Sequence, residues 1–263
     1  MTLRVALLGY GAIGQPVGDA LSAGVDGVEL VGVVTRTQGK ATARGHTELT
    51  LDEAIAGGDL IVECAGIDSV VRHGPQIIAS GTDLLIASVG ALIDTALRRT
   101  LLDGGPGRSY LTAGAIGGLD LLGAVARGGG LDAVSLTTTK APGTLVRPWM
   151  DAATADGLRN GSGTTVVFDG TVAEGIALFP SSLNVAVALA AATGHWEATR
   201  VRLVADPRAT LTTHRIEASG RAGEYDFTIR NQPLESNPRS SSAVPAAILR
   251  GLQALANPSG TFL

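Results

Sequence analysis

Cysteine, lysine and aromatic side chains are all scarce in this chain of 263 residues, and each scarcity removes a class of function. A single cysteine, Cys64, can close no internal disulfide and build no thiolate zinc cage. Nothing therefore points to an oxidising compartment, and the cytoplasm is the expected location. The only lysines are Lys40 and Lys140, no run of Lys or Arg occurs, and the formal net charge is −4. A binder of the phosphate backbone needs a concentrated positive field, so nucleic acid is not an expected partner. Aromatics reach only 3%, too few for a base-stacking platform. Long apolar runs are missing as well. Val5-Ala6-Leu7-Leu8 breaks at Gly9, too short for a signal-peptide core. The least charged stretch, 175–194, is interrupted by Pro180, Ser181, Ser182 and Asn184, which argues for buried structure and against a membrane span.

Glycine is abundant, with 36 residues, and hydrophobic side chains make up 45% of the chain against 17% charged. That balance describes a globular protein with ample apolar surface and many close backbone approaches. From residue 3 to about 112, short Val/Leu/Ile runs at 3–8, 28–35, 59–63, 83–87 and 109–111 alternate with helical stretches at 12–23, 69–79 and 94–102. This is the rhythm of parallel βαβ units, with Asp68 and Asp94 placed as first-turn acids or caps. After Gly118 the rhythm changes. A helix at 119–126 precedes alternating strands at 133–139, 198–204, 211–219 and 225–230, with Arg221-Ala222-Gly223 as a hairpin turn. Helices at 184–192 and 244–255 complete the chain. The expected fold is α/β: an N-terminal Rossmann domain with a parallel sheet at 1–118, then a smaller α+β domain with a mostly antiparallel sheet at 119–242. Residues 243–263 are expected to form a C-terminal helix packing back on the first domain.

Gly9-Tyr10-Gly11-Ala12-Ile13-Gly14 is a G-x-G-x-x-G between a buried strand and a helix. The first Gly permits the tight turn, the second lets a pyrophosphate approach the backbone, and the third allows close helix-to-strand packing, while the helix start offers unpaired N–H groups. In that position the motif predicts dinucleotide binding by Gly9, Gly11, Ala12, Ile13 and Gly14. A carboxylate after the second strand would select NAD. Here the segment is Thr35-Arg36-Thr37, and Arg36 with two hydroxyls suits a 2′-phosphate, so NADP is the leading cofactor and NAD the second.

Beyond the glycine motif, the sequence resembles L-aspartate dehydrogenases over nearly its whole length. The segments that carry this are Val62-Glu63-Cys64-Ala65-Gly66, Ala87-Ser88-Val89-Gly90-Ala91-Leu92, Ala113-Gly114-Ala115-Ile116-Gly117-Gly118-Leu119-Asp120, and Phe179-Pro180-Ser181-Ser182-Leu183-Asn184-Val185-Ala186. Ala205-Asp206-Pro207, His214 and Asn237-Pro238-Arg239-Ser240-Ser241 follow. The resemblance implies oxidation of L-aspartate to iminosuccinate, then oxaloacetate and ammonia, or the reverse amination. It further implies cofactor contacts from Ala65 and Ser88, nicotinamide contacts from Ala115 and Asn184, and catalysis by His214. The chain departs from the family at Thr212, where Asn is usual, at Arg215, where Glu is usual, and at Ser182, where the family has the first Asn of F-P-x-N-x-N.

Histidine is the side chain that titrates near working pH, and four are present. His46 falls in a polar loop, His73 on a charged helix face and His195 at a helix end, all read as surface or capping residues. His214 alone lies inside an alternating strand, sharing a face with Thr212 and Ile216. By pattern alone it is a satisfied sheet histidine; the resemblance makes it the catalytic one. A dicarboxylate needs cationic and N–H or O–H partners, for which Lys140 at a strand end and Arg239, Ser240 and Ser241 in a Ser-rich loop are the candidates. Glu63 and Asp120 are alternative proton carriers. No spacing suits a zinc or paired-carboxylate metal site, so hydride chemistry belongs to the nicotinamide, and the expected partner is a small-molecule substrate. A homodimer is expected too, formed where one apolar sheet face lacks helical cover. Two other readings stand beside the enzyme: a noncatalytic NAD(P)-binding sensor, and a related oxidoreductase, for example one like dihydrodipicolinate reductase, acting on another amino acid or imine.

Overall fold

In a computed structural model, which describes residues 2–260, the chain divides into two compact units. Unit 1 takes in Met1–Gly114 and Val244–Leu263, and unit 2 takes in Ala115–Ala243.

Unit 1 is a five-stranded, wholly parallel sheet in the order β2-β1-β3-β4-β5. Its strands are β1 (Leu3–Leu8), β2 (Val28–Val34), β3 (Leu60–Glu63), β4 (Asp83–Ile86) and β5 (Ser109–Leu111). The helices are α1 (Gly14–Ala23), α2 (Leu51–Gly57), α3 (Ile67–Ser80) and α4 (Thr95–Asp103). Strands buried on both faces need continuous apolar character, and Val5–Leu8, Leu60–Val62 and Leu84–Ile86 supply it. Val5, Leu7, Val17, Leu21, Leu60 and Val62 form one core with Ile248 and Leu252 of the last helix, Ala243–Ala256. Each such side chain contributes roughly 1.5 to 3 kcal/mol by leaving water. Two expectations are refined. The first helix begins at Gly14, with Ala12 and Ile13 held in the turn before it. Helix α2, which periodicity missed, is set by a capping box in which Thr50 and Glu53 satisfy each other's backbone N–H groups.

Unit 2 contains α5 (Leu119–Arg127), β6 (Ala133–Lys140), α6 (Ala152–Asn160), β7 (Thr165–Thr171), α7 (Val172–Leu178) and α8 (Asn184–Thr193). Next come β8 (Arg200–Ala205), β9 (Thr212–Gly220), β10 (Gly223–Asn231), β11 (Pro233–Leu234) and β12 (Asn237–Ser241), and the last helix is α9. Its five-stranded sheet has the order β10-β9-β6-β8-β7. All pairs are antiparallel except β6 with β8, which run parallel because α6, β7, α7 and α8 intervene between them. Along β9 the pleat buries Thr212, His214, Ile216 and Ala218 and turns Arg215 and Glu217 outward. The outer face was expected to be apolar. Instead it is charged, with Arg215 paired to Glu217 and Asp226, and Arg200 and Arg202 paired to Asp169. Arg239, Ser240 and Ser241, expected in a loop, form strand β12, which pairs with β11.

Candidate functional site

In unit 1 the carboxyl ends of β1, β2 and β3 open onto a groove of about 530 Å³. Gly9, Gly11, Arg36, Lys40, Ala65 and Arg72 are among its lining residues. The glycines divide the work. Gly9 sits at φ +109, and a Cβ there would stand 2.7 Å from Ala65. A Cβ on Gly14 would stand 2.2 Å from the Gly9 carbonyl oxygen, so this position exists for helix-to-strand packing. A Cβ on Gly11 meets nothing within 4 Å. The space over Gly11 is open to a ligand, and no side chain caps the start of α1. These features fit a dinucleotide pyrophosphate against the helix N-terminus.

Two carboxylates hold the groove's loops. Glu63, fully buried, accepts hydrogen bonds from the N–H groups of Ala65 and Gly66 (both 2.8 Å), from Ser88 N–H (2.9 Å) and from the Ser88 hydroxyl (3.0 Å). Burial raises its pKa, against the lowering by these donors. Glu63 is thus a brace for the loops after β3 and β4, with its lone pairs committed. Sequence reasoning did not single out Glu48. Its carboxylate accepts from the N–H groups of Gly39 (2.9 Å), Ala41 (2.7 Å) and Thr42 (3.2 Å), hydrogen bonds that hold it below the usual carboxylate range. It shapes the loop that carries Arg36 and Lys40. His46, read as a surface residue, is in fact buried. Its ring lies between Ser22 Oγ (3.2 Å) and Asp19 (3.5 Å) and meets Tyr10 edge-on.

In unit 2 the residues that can carry charge converge from distant points of the sequence. β6 pairs with β9 so that Thr138 lies opposite His214, and Thr138 Oγ1 is 2.9 Å from His214 Nδ1. With Nδ1 tied, Nε2 is the nitrogen left to exchange a proton. Two residues further along the same buried face is Lys140, whose Nζ donates to the Arg239 carbonyl oxygen at 3.1 Å. Burial, with repulsion from Arg147, lowers the Lys140 pKa to about 8. Burial, with repulsion from Lys140, holds His214 down to about 3, so the imidazole is neutral. Among the described residues no ion pair involves Lys140, Arg147 or Arg239. Arg147, also buried, escaped sequence reasoning because nothing around Val146-Arg147-Pro148 distinguishes it from a loop arginine.

The remaining candidates are spread more widely. Ser240 Oγ accepts from Asn237 Nδ2 (3.1 Å), and Ser241 Oγ from Ala243 N–H (3.1 Å), while Arg239 is exposed. Ala115 is buried, its carbonyl oxygen held by Asn231 Nδ2 at 2.7 Å, and Asn184 begins α8. Asp120 is exposed in the first turn of α5. Among the described residues no three of His, Cys, Asp or Glu gather as a metal site would require, and no helix is long and apolar enough to cross a membrane.

Comparison with known proteins agrees with both units. Residues 120–255 match the family described as aspartate dehydrogenase, C-terminal, and residues 9–105 match the NAD binding domain of homoserine dehydrogenase. The chain is 37% identical to an L-aspartate dehydrogenase of Ralstonia pickettii, an alignment covering 95% of this chain and 96% of the other. It is 35% identical to that of Ruegeria pomeroyi, over 95% and 92%. Among solved structures, the aspartate dehydrogenase of Thermotoga maritima superposes with a TM-score of 0.75 at 25% identity, covering 100% of this chain and 99% of that one.

Proposed function

Because the chain belongs to the L-aspartate dehydrogenase family, we propose that it is an NAD(P)-dependent dehydrogenase that oxidises L-aspartate to iminosuccinate, which hydrolyses to oxaloacetate and ammonia, or that runs the reverse amination. One observation carries this reading: a neutral buried His214 stands beside buried cations that lack a protein counter-charge, which is what a dicarboxylate amino acid requires. Lys140 holds one carboxylate, and Arg239, Ser240 and Ser241 supply further donors. The amine must lose a proton before its lone pair can form the C=N bond as the Cα hydride leaves, and His214 Nε2 takes that proton. In the amination direction it returns it. A dianion beside Lys140 offsets the repulsion that suppresses His214, so the base strengthens when substrate arrives. Bound nicotinamide supplies the hydride acceptor or donor. Gly9, Gly11, Ala12, Ile13, Gly14, Ala65 and Ser88 form or support its phosphate site, and Ala115 and Asn184 meet its nicotinamide end. Arg36, with Lys40 on the same groove, favours NADP over NAD.

The test is oxidation of NADPH and NADH with oxaloacetate and ammonia, set against a panel of other oxo acids. Turnover highest with oxaloacetate supports the proposal. Tight cofactor binding with no turnover on any acid overturns it in favour of a sensor. We also propose a cytoplasmic homodimer, a closed twofold assembly being the commonest among soluble oligomers. Sedimentation at micromolar concentration checks it, and a monomer removes it.

A further inference from the structure

Arg147 follows the turn that leaves β6 just after Lys140, and its guanidinium is almost wholly committed to the protein. One terminal nitrogen donates to the Thr144 carbonyl oxygen (2.9 Å) and to the Val146 carbonyl oxygen (3.0 Å). The other donates to Ser182 Oγ (2.8 Å) and approaches Ser181 Oγ (3.4 Å). The Cζ atom lies 5.3 Å from the centroid of the Phe179 ring, which is fully buried. Arg147 therefore ties two segments together: the turn after Lys140 and the Phe179–Leu183 loop that leads into Asn184 at the start of α8. A buried guanidinium without an acid beside it is costly to keep, and here it stands near two further cations, Lys140 and Arg239. Such a like-charged group is favoured only when an anion joins it.

We propose that Arg147 is a positioning residue for the dicarboxylate: it does not grip the substrate but fixes Ser182 and the turn after Lys140, and it places a second buried positive charge behind Lys140. The proposal rests on the aspartate dehydrogenase reading above. It also gives Ser182 a role at the position where the family has asparagine, since the small hydroxyl accepts from the guanidinium directly. The charged or titratable groups beside Lys140 are Arg147 from the turn, His214 from β9 and Arg239 from β12; Asp206 after β8 donates its backbone N–H to the Lys140 carbonyl oxygen while its carboxylate is committed to Arg208.

The experiment measures binding of succinate, a dicarboxylate that cannot react, to the full chain with oxidised cofactor present, across pH, with propionate as the monocarboxylate control. In the wild type, succinate binding weakens as pH rises through about 8, where Lys140 loses its proton. Arg147→Gln removes a like charge from beside Lys140, so that weakening moves to higher pH, while affinity at pH 7 falls on the order of tenfold. Propionate binding changes less. Arg147→Lys keeps the charge and the pH midpoint but loses the planar fork, so succinate affinity falls several-fold and the KM for oxaloacetate rises more than kcat falls. An unmoved midpoint in the Gln variant, or wild-type succinate binding in the Lys variant, overturns the proposal; if the Gln variant does not fold, the Lys variant decides. Absence of succinate binding to the wild type overturns it as well. A wild type that never turns over oxaloacetate yet binds succinate through Arg147 retires the reaction and leaves the positioning role standing.

Discussion

The groove of unit 1 is built mainly from backbone, whereas the Lys140–His214 cluster of unit 2 is built from buried side chains that carry charge or a proton. Around Gly9, Gly11 and Gly14 the recognition elements are N–H groups, open space and a helix end, all of which water can satisfy while the groove is empty. Around Lys140 and Arg147 the charged groups are cations removed from water that form no ion pair among the described residues. The first kind of site costs the fold little. The second destabilises the empty fold and recovers that free energy when an anion binds, so the tension between stability and function is concentrated in unit 2.

The largest effect that tests this contrast is on chemistry. His214→Ala should lower kcat by roughly 10² to 10⁴ while cofactor affinity stays within about twofold, because the nucleotide groove belongs to unit 1. Thermal unfolding, cofactor titration and kcat on this one variant separate catalysis from packing. A folded variant with most of its turnover would move the proton-carrying role elsewhere.

Lys140→Met probes the cost of the buried charge. Lys140 is depressed from 10.5 to about 8 in the folded protein, so between those values the unfolded chain binds more protons and stability rises with pH. Below pH 8 the charged lysine therefore destabilises the fold by roughly 3 kcal/mol, and this penalty fades by pH 10.5. The Met variant should gain most on the wild type in urea unfolding at pH 7 and progressively less towards pH 10. Its KM for oxaloacetate should rise sharply. A stability difference that does not vary with pH would mean that Lys140 is paired in solution.

The same contrast explains what was legible in the sequence. The glycine motif is local: six consecutive residues between a strand and a helix specify a backbone shape, and the groove has that shape. The strands of unit 1 were legible because burial on both faces demands unbroken Val, Leu and Ile. The Lys140–His214 neighbourhood depends on strand register across 76 residues, Thr138↔His214, and no local pattern encodes that pairing. Only the family resemblance singled out His214. Helices α2 and α7 were missed because seven residues give too few turns for periodicity, although Thr50-Leu51-Asp52-Glu53 and Thr171-Val172-Ala173-Glu174 each spell a capping box. His46 looked exposed because its neighbours are polar, yet Tyr10, Ser22 and Asp19 enclose it through tertiary contacts.

Two glycine substitutions sharpen the claim that the groove separates fold from binding. Gly14→Ala forces a Cβ onto the Gly9 carbonyl oxygen and should cost on the order of 1 to 3 kcal/mol of stability. Gly11→Ala meets no protein atom within 4 Å, so unfolding should be unchanged while cofactor affinity falls roughly tenfold through loss of the close pyrophosphate approach. Equal losses of stability in the two variants would break the distinction.

The smallest expected effect concerns which cofactor the backbone groove prefers, because this is the one place in unit 1 where side-chain charge does the discriminating. Arg36 lines the groove with Thr35, Thr37 and Lys40, and the loop carrying it is pinned by Glu48 through three backbone N–H groups. Arg36→Asp replaces a phosphate partner with a carboxylate that repels a 2′-phosphate and can accept from a ribose diol. The ratio of kcat/KM for NADPH over NADH should fall on the order of tenfold, the scale of one charge-assisted hydrogen bond at an exposed site, with Tm unchanged. Because Lys40 remains in the groove, discrimination should weaken without necessarily inverting, and Lys40→Ala in the Arg36→Asp background should carry it further towards NADH. The same ratio before and after the first substitution would show that Arg36 is only a solvated surface residue, and NADP preference would then lose its structural basis.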